Sequence, residues 1–377
     1  MRVLHVITNL DDGGAQTVLA RLVRGDGLDS HRVVSLTGDG IVGPRLAAAG
    51  VPVDAVGLPR GRVTAPGFAR LVRLVRAAAP DVVQTWMYHA DLLGGLAARL
   101  AGVRAVVWGV RNTDLDPRRV SRPTRLAARA CAALSRRVPR AIVSCSARAA
   151  HEHIARGYAA ERFVVVPNGY NLAEFAPDPG ARARIRGELG VGDGQALLGM
   201  VARWDPHKDH ANLLAALARL GGPGAPEWCC VLAGRGMDGA NAELAGLISG
   251  HGIGGRVLAV GARDDVPALM NALDLLVLSS VGEAFPNVVA EAMACGTPVV
   301  ATDSGDAALI VGETGWIVPP GDPDALAAAI GGALRALADP AARAARGAAC
   351  RERIAGNFAL ERMVAGYRAV WTAARPR

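Results

Sequence analysis

The sequence predicts an α/β protein made of two doubly wound, parallel-sheet domains in tandem. Three observations carry this: short β-branched runs alternate with longer helical patterns, the alternation breaks once and restarts, and 377 residues exceed what one hydrophobic core usually serves. In the first half "RVLHVIT" reads as a strand and "GGAQTVLARLVRG" as the helix after it. "HRVVSLT" then pairs with "GPRLAAAG", and "DVVQTW" with "HADLLGGLAARLAG", before the strands "RAVVWGV", "RAIVSCS" and "FVVVPNG". At "FAPDPGARARI" the pattern stops, and Pro177, Asp178, Pro179 and Gly180 read as a linker. A second series follows with "ALLGMVA", "WCCVLAG", "RVLAVG", "LDLLVLSS" and "TPVVATD". The final "FALERMVAGYRAVWTAA" is an amphipathic helix able to pack back on the first domain. The predicted division is thus residues 1–177, residues 178–356, and a C-terminal helix over 357–377. Open α/β sheets bind ligands at the carboxyl ends of their strands, so two such domains facing each other would enclose a cleft.

Composition narrows the function classes. No stretch approaches the roughly 18 apolar residues of a membrane span. The opening "MRVLHVITNLDDGGAQ" is cut off by Asp11 and Asp12 and lacks the h-region of a secretory leader. Cys131, Cys145, Cys229, Cys230, Cys295 and Cys350 show no metal-ligand spacing and read as buried thiols of a reducing cytoplasm. Charge is uneven: residues 1–175 hold 24 Arg, no Lys and 13 acidic residues, a net +11, whereas the remainder is net −3. Nine of those arginines fall between Arg118 and Arg148. Through Arg118–Arg140 helical apolar spacing alternates with cations, which suits an anionic membrane surface, an anionic acceptor or a solvated helix face. Aromatics are only 4% and no nucleic-acid motif occurs, so nucleic acid is not an expected partner.

Three constellations carry candidate chemistry. "VGEAFPNVVAEAMACGTPVV" sets Glu283 and Glu291 eight positions apart around an expected helix, "FPNVVAEAMACG", with Pro286 in its first turn and Gly296 past its end. On one helix these carboxylates would stand about 12 Å apart, wider than the roughly 5–9.5 Å of a glycosidase pair. They suit two grips on one long ligand, with free helix amides for an anion between them. An exposed turn carboxylate and a helix-surface glutamate fit the spacing as well. In "VARWDPHKDHANLLAAL" Lys208 is the only lysine against 41 arginines, a compact ammonium suited to a diphosphate. Arg203 beside it can chelate phosphate oxygens. In "NLDDGGAQTVLARL" Gly13 and Gly14 let a phosphate or sugar approach the backbone at a helix start. The absence of G-x-G-x-x-G and of a P-loop argues against a nicotinamide dehydrogenase and an NTPase.

"GGAQ", "VPNGYNLAEF", "VARWDPHKDH" and "GEAFPNVVAEAMACGTPVVATDSGD" together resemble the retaining glycosyltransferases of family 4, colinearly over nearly the whole chain. The resemblance implies a GT-B fold: two Rossmann-like doubly wound domains facing across a cleft, donor bound mainly by the second and acceptor by the first. It implies that Arg203 and Lys208 bind the donor diphosphate, Glu283 the transferred sugar and Glu291 the ribose. Backbone groups of Phe285, Pro286, Asn287 and Val288 would contact sugar or phosphates, and Gly13 and Gly14 would border the reaction centre. His89, in "TWMYHADLLGG", resembles the family's active-site histidine, although a histidine before a helix also serves as a cap or a packing residue. Arg111 is a candidate for phosphate or acceptor contact.

The expected chemistry is retaining transfer without a metal or other cofactor, the acceptor attacking beside the departing phosphate. No D-x-D motif or ligand cluster is present, "DLD" at 114–116 standing alone. The expected donor is a nucleotide-sugar, a UDP-sugar before a GDP-sugar. The expected acceptor is a glycan or polyprenyl-linked lipid, used in the cytoplasm or at the inner face of the membrane. A nucleotide-sugar epimerase and a non-catalytic two-lobed nucleotide-sugar binder are the alternatives.

Overall fold

A computed structural model describes all residues except 12, 114, 118, 193, 222–226 and 377. The expectations resting on Asp12, Asp114 and Arg118 therefore lie outside the described residues. The chain forms two compact units: Met1–Gly169 with Leu360–Arg377, and Tyr170–Ala359.

Unit 1 runs β1 (Arg2–Ile7), α1 (Gly14–Gly25), β2 (Ser30–Ser35), α2 (Val42–Ala48), β3 (Val53–Ala55), α3 (Ala65–Ala78), β4 (Val82–Trp86), α4 (Tyr88–Leu100), β5 (Val106–Val110), α5 (Arg122–Leu134), β6 (Ala141–Ser144), α6 (Ala147–Ala155) and β7 (Phe163–Val165). Its seven strands are parallel, in the order β3-β2-β1-β4-β5-β6-β7. Both faces are covered, which is why the strands read as unbroken apolar runs. On β1, Val3 and Ile7 enter one core with α1, while Leu4 and Val6 enter the other with α3 and α4.

Unit 2 runs α7 (Pro179–Glu188), β8 (Ala196–Val201), α8 (His210–Ala218), β9 (Trp228–Ala233), α9 (Ala242–Gly250), β10 (Val257–Gly261), α10 (Val266–Ala272), β11 (Leu275–Leu278), α11 (Asn287–Ala294), β12 (Val299–Thr302), α12 (Ala307–Val311), β13 (Trp316–Val318), α13 (Pro323–Ala336) and α14 (Pro340–Phe358). Its six parallel strands are ordered β10-β9-β8-β11-β12-β13. The last helix, α15 (Leu360–Ala374), belongs to unit 1, where Met363, Tyr367, Val370 and Trp371 join the core beside α1.

The division falls at 169/170 and 359/360, whereas the sequence placed it at 177/178 and 356/357. Hydrogen bonds explain the shift. Tyr170 N donates to Phe358 O, Tyr170 pairs with Ala359, and Arg351 donates to the carbonyls of Leu172 and Phe175, so 170–175 are held within unit 2. Residues 178–180 are not a linker but the start of α7: Asp178 is its N-cap and accepts from Ala181 N, and Pro179 takes the first helical position. Pro286 stands at the N-cap of α11, one position ahead of the expected first turn, and Gly296 follows the helix with φ +82°. All six cysteines are buried free thiols. Among the described residues no single helix is long and apolar enough to cross a bilayer.

Candidate functional site

Unit 2 gathers the charged candidates. Its strand order reverses between β8 and β11, and the loops leaving the carboxyl ends of these two neighbours carry them, the usual ligand position of such sheets. After β8 the chain passes Arg203 and enters a 3-10 turn, Pro206–Lys208. Asp205 caps that turn. Its Oδ1 accepts from His207 N and His207 Nδ1, each at 2.9 Å, and its Oδ2 accepts from Arg203 Nε at 3.0 Å and from a terminal guanidinium nitrogen at 2.8 Å. Burial acts to raise the Asp205 pKa, but these hydrogen bonds from His207 and Arg203 outweigh it and hold the carboxyl at about 2. Asp209 follows with φ +47°, a left-handed conformation that a short polar side chain tolerates, and its Oδ1 accepts from Asn212 N to cap α8. Trp204 stacks on His210 at 4.6 Å, and burial lowers the His210 pKa to about 4, leaving it neutral at pH 7.

The loop after β11 is stitched to this turn. Val281 N donates to His207 O at 2.8 Å and Ser279 Oγ donates to Lys208 O at 2.8 Å. Glu283 Oε1 then accepts from both Lys208 Nζ at 2.5 Å and Ser280 Oγ at 2.8 Å. Two glycines let backbone pack where a side chain could not. A Cβ on Gly305, at φ +57°, would stand 2.6 Å from Glu283 O, and one on Gly234, at φ +140°, would stand 2.0 Å from Ala202 O. These two positions set the height of the Glu283 loop and of the Arg203 strand exit.

Beyond Glu283 the chain turns into α11. Phe285 is buried edge-on against Phe358, with ring centres 5.5 Å apart, and Pro286 gives the helix no side-chain cap. Its first-turn amides are thus not taken by a capping side chain. Asn287 Oδ1 accepts from Tyr170 Oη at 2.8 Å, Val288 is half-buried, and Glu291 is buried to 9% exposure one turn further on. Glu283 lies off this helix, so its eight-residue spacing from Glu291 is not a helical separation.

In unit 1 the strand order reverses between β1 and β4. Gly13 precedes α1 and Gly14 opens it; Gln16 Nε2 donates to Asn9 Oδ1 at 2.7 Å, closing the loop between them. Gly13 is extended, at φ 173° and ψ 162°, a conformation open to any residue, and a Cβ there would meet only the flexible end of Gln16. His89 sits half-buried in the first turn of α4, its pKa lowered by burial. The N-cap residue before the helix, Met87, has φ +74°, a costly conformation for a non-glycine residue. Arg111, just past β5, lies over the Trp86 ring at 5.2 Å, donates to Tyr367 Oη at 3.1 Å and donates to Asn168 Oδ1. It is seated on the core of its own unit through neutral partners.

The structure thus joins Arg203, Lys208 and Glu283 in one hydrogen-bonded group, sets Phe285, Pro286, Asn287, Val288 and Glu291 on the segment that follows, and places Gly13, Gly14, His89 and Arg111 in unit 1. Sequence reasoning missed Asp205, Ser279, Ser280, Gly234 and Gly305. Asp205 announces itself only as an acid before proline, an N-cap signal. Among the described residues no group of three or more His, Cys, Asp or Glu side chains is arranged to hold a metal ion.

Comparison with known proteins adds the following. The family description "Glycosyltransferase Family 4" matches residues 12–174, and "Glycosyl transferases group 1" matches residues 195–336. A D-inositol 3-phosphate glycosyltransferase of Salinispora tropica is 36% identical over 219 residues, covering 54% of this chain and 44% of the relative. A lipopolysaccharide core biosynthesis mannosyltransferase, LpcC, of Rhizobium leguminosarum is 33% identical over 213 residues, covering 55% and 58%. The chain therefore spans about half the length of the curated relatives it first matches. A 2-deoxystreptamine N-acetyl-D-glucosaminyltransferase of Streptomyces fradiae is 30% identical over 327 residues, covering 74% of this chain and 76% of the relative. Among solved structures, Anabaena Alr3699/HepE in complex with UDP and glucose matches over 99% of both chains, with a TM-score of 0.86 and 25% identity.

Proposed function

The chain belongs to glycosyltransferase family 4, and on that premise we propose that it transfers a sugar from a nucleoside-diphosphate-sugar to a glycan or polyprenyl-lipid-linked acceptor. The transfer retains the anomeric configuration and needs no metal ion. One observation carries the reading: at a strand-order reversal the turn after β8 holds Arg203 and Lys208, and Glu283 in the loop after β11 is hydrogen-bonded to Lys208. A nucleoside diphosphate leaves only if its growing negative charge is stabilised, and fixed cations supply that stabilisation without reorganising at the moment of reaction. The Val288 amide in the first turn of α11 adds a donor for a phosphate or sugar oxygen. Glu283 accepts from a hydroxyl of the transferred sugar, and Glu291 from the ribose.

UDP is the proposed nucleotide, supported by the UDP and UDP-glucose bound to Anabaena Alr3699/HepE. The polysaccharide setting is supported by the lipopolysaccharide core biosynthesis relative. His89 and the Gly13–Gly14 turn contact the acceptor or the transferred sugar, and Arg111 an anionic part of the acceptor. Within the arginine-rich segment α5 buries Ala127, Ala128 and Cys131 and exposes Arg122, Leu126 and Arg129. Arg136, Arg137 and Arg140 beyond it are exposed as well. That face is proposed to meet an anionic membrane surface, as a peripheral contact at the inner face of the cytoplasmic membrane. Reversal of several of these charges is expected to weaken co-sedimentation with anionic vesicles; unchanged binding removes the membrane from the proposal.

The testing experiment is mass spectrometry of the purified protein with UDP-, GDP-, ADP- and dTDP-sugars, with and without a bacterial polyprenyl-lipid extract. Nucleoside diphosphate release that depends on the extract and yields a glycosylated lipid is the expected result. Conversion of the donor to a new sugar without acceptor would replace the transferase with an epimerase. An inverted product anomer would overturn retention, and activity lost on chelation would overturn metal independence.

A further inference from the structure

We propose that Asp205 is a positioning residue for the donor diphosphate, fixing Arg203 with one carboxylate oxygen and the Lys208 turn with the other; this rests on the donor-site reading above. A carboxylate beside a bound diphosphate repels it, so its presence there calls for a compensating task. Its contacts supply one. Arg203 is a long side chain, 46% exposed, that would otherwise sample many rotamers. Asp205 Oδ2 takes its Nε and one terminal nitrogen at 3.0 and 2.8 Å, which fixes the plane of the guanidinium and leaves the other terminal nitrogen to face a ligand.

Oδ1 does different work. By accepting from the backbone N–H and Nδ1 of His207 it closes the Pro206–Lys208 turn. The carbonyls of His207 and Lys208 are then presented to Val281 N and Ser279 Oγ, and Lys208 Nζ reaches Glu283 at 2.5 Å. One carboxylate therefore sets the direction of both cations. Four donors converge on it, so its own charge is largely spent on partners, and it stays ionised across the physiological range.

The test is a double-mutant cycle read by calorimetric titration with UDP, GDP, ADP and dTDP. Asp205→Asn keeps an oxygen for His207 N but turns an amide N–H₂ toward the guanidinium, so only the Arg203 grip is lost. The expected outcome is a Kd raised about tenfold by Asp205→Asn and about thirtyfold by Arg203→Ala, with the double variant no weaker than Arg203→Ala alone. Asp205→Glu, which keeps the charge on a longer arm, is expected between wild type and Asn, and it carries the cycle if the Asn protein does not fold. Additive losses, an unchanged Kd or a tighter Kd in Asp205→Asn would overturn the inference while the donor site stands. If Arg203→Ala binds every nucleotide as wild type does, the donor-site reading falls and the inference with it.

Discussion

The two sheets reverse strand order in the same way, yet the loops at the two reversals carry different densities of charge. In unit 2 the β8 and β11 loops hold a cation pair, two carboxylates and two serine hydroxyls in a continuous hydrogen-bonded set. In unit 1 the β1 and β4 loops hold glycines, a glutamine clamp, a histidine whose pKa burial lowers and a carboxylate, Asp11, paired with Arg60 at 2.7 Å, while Arg111 rests on an indole ring and neutral partners. Helices α1, α4 and α11, which follow β1, β4 and β11, have no side-chain cap, a feature they share with α2, α5, α10 and α12, whereas α8 after β8 is capped by Asp209. The same topology thus carries a hydrogen-bonded cluster with two cations in one unit and, in the other, glycines, a neutral histidine and an acid–arginine pair. This is the division expected if unit 2 holds an anionic leaving group and unit 1 a neutral hydroxyl nucleophile.

The sharpest way to break that contrast is to remove charge from each side. Lys208→Ala or Arg203→Ala is expected to lower the rate of the proposed transfer about 10²–10³-fold, the usual loss of one fixed donor to developing charge. Arg111→Gln is expected to cost about tenfold or less, because its contacts are to its own core. Steady-state rates with the donor found by mass spectrometry decide it. Equal losses at Arg111 and Lys208 would place an anionic group in unit 1 as well.

Next in size is the packing that supports each loop. Gly305→Ala and Gly234→Ala put a Cβ within 2.6 Å of backbone oxygens and are expected to destabilise unit 2 by about 1–3 kcal/mol, while displacing Glu283 and Arg203. The unit 1 counterpart is Gly40, at φ +53°, where a Cβ would stand 2.2 Å from Leu10 O in the β1 exit loop. Gly40→Ala is expected to destabilise by a similar amount without changing nucleotide affinity. Thermal melting with and without UDP separates the two: the unit 2 variants lose the ligand-induced shift and the Gly40 variant keeps it.

How far the sequence showed all this depends on what kind of signal each part leaves. Eleven strands were readable as apolar runs, most of them buried on both faces, while the edge strand β7 was read from its β-branched run although it is largely exposed. The two that escaped, β3 and β13, are three-residue strands at sheet edges, largely half-buried and too short to show a period. Pro177–Gly180 misled because proline, aspartate and glycine mark a helix start as well as a linker. Arg203, Lys208, Glu283 and Glu291 were legible through residue type, rarity and spacing. Asp205 and Ser280 were not, since their roles exist only as hydrogen bonds made once the chain has folded.

Acidification gives a smaller test of the same contrast. Burial lowers His5, His31, His89 and His153 in unit 1, the last to about 4, and His210 in unit 2 to about 4. At His5 the cause is visible. Trp86 Nε1 donates to His5 Nδ1, so the ring proton sits on Nε2 and points at His31 Nδ1, and a second proton would face the indole N–H. A lowered histidine stabilises the fold above its unfolded pKa of about 6.5 and loses that contribution as pH falls toward the folded value. Unit 1 should therefore loosen before unit 2 between pH 6.5 and 4. Hydrogen exchange, corrected for intrinsic rates and resolved by unit, is the measurement; opening of unit 2 first would contradict it.

The last test comes from Asp91, which runs against the histidines of its own unit. Burial in the first turn of α4 raises its pKa to about 8, although Thr85 Oγ1 at 2.5 Å and Gly109 N at 3.1 Å oppose the shift by hydrogen bonding. The folded state then keeps a proton that the unfolded state releases near pH 3.9, so stability falls as pH rises from about 4 to about 8, with a limiting slope of about 1.4 kcal/mol per pH unit. Asp91→Asn removes the titrating group and keeps an oxygen for Gly109 N. Its urea-unfolding free energy should decline less than that of wild type between pH 6 and 8, so that the difference between the two proteins moves in the variant's favour as pH rises. Parallel pH dependences would show that Asp91 is already ionised in the fold, and the neutral character assigned to the β4 reversal would then have to be given up.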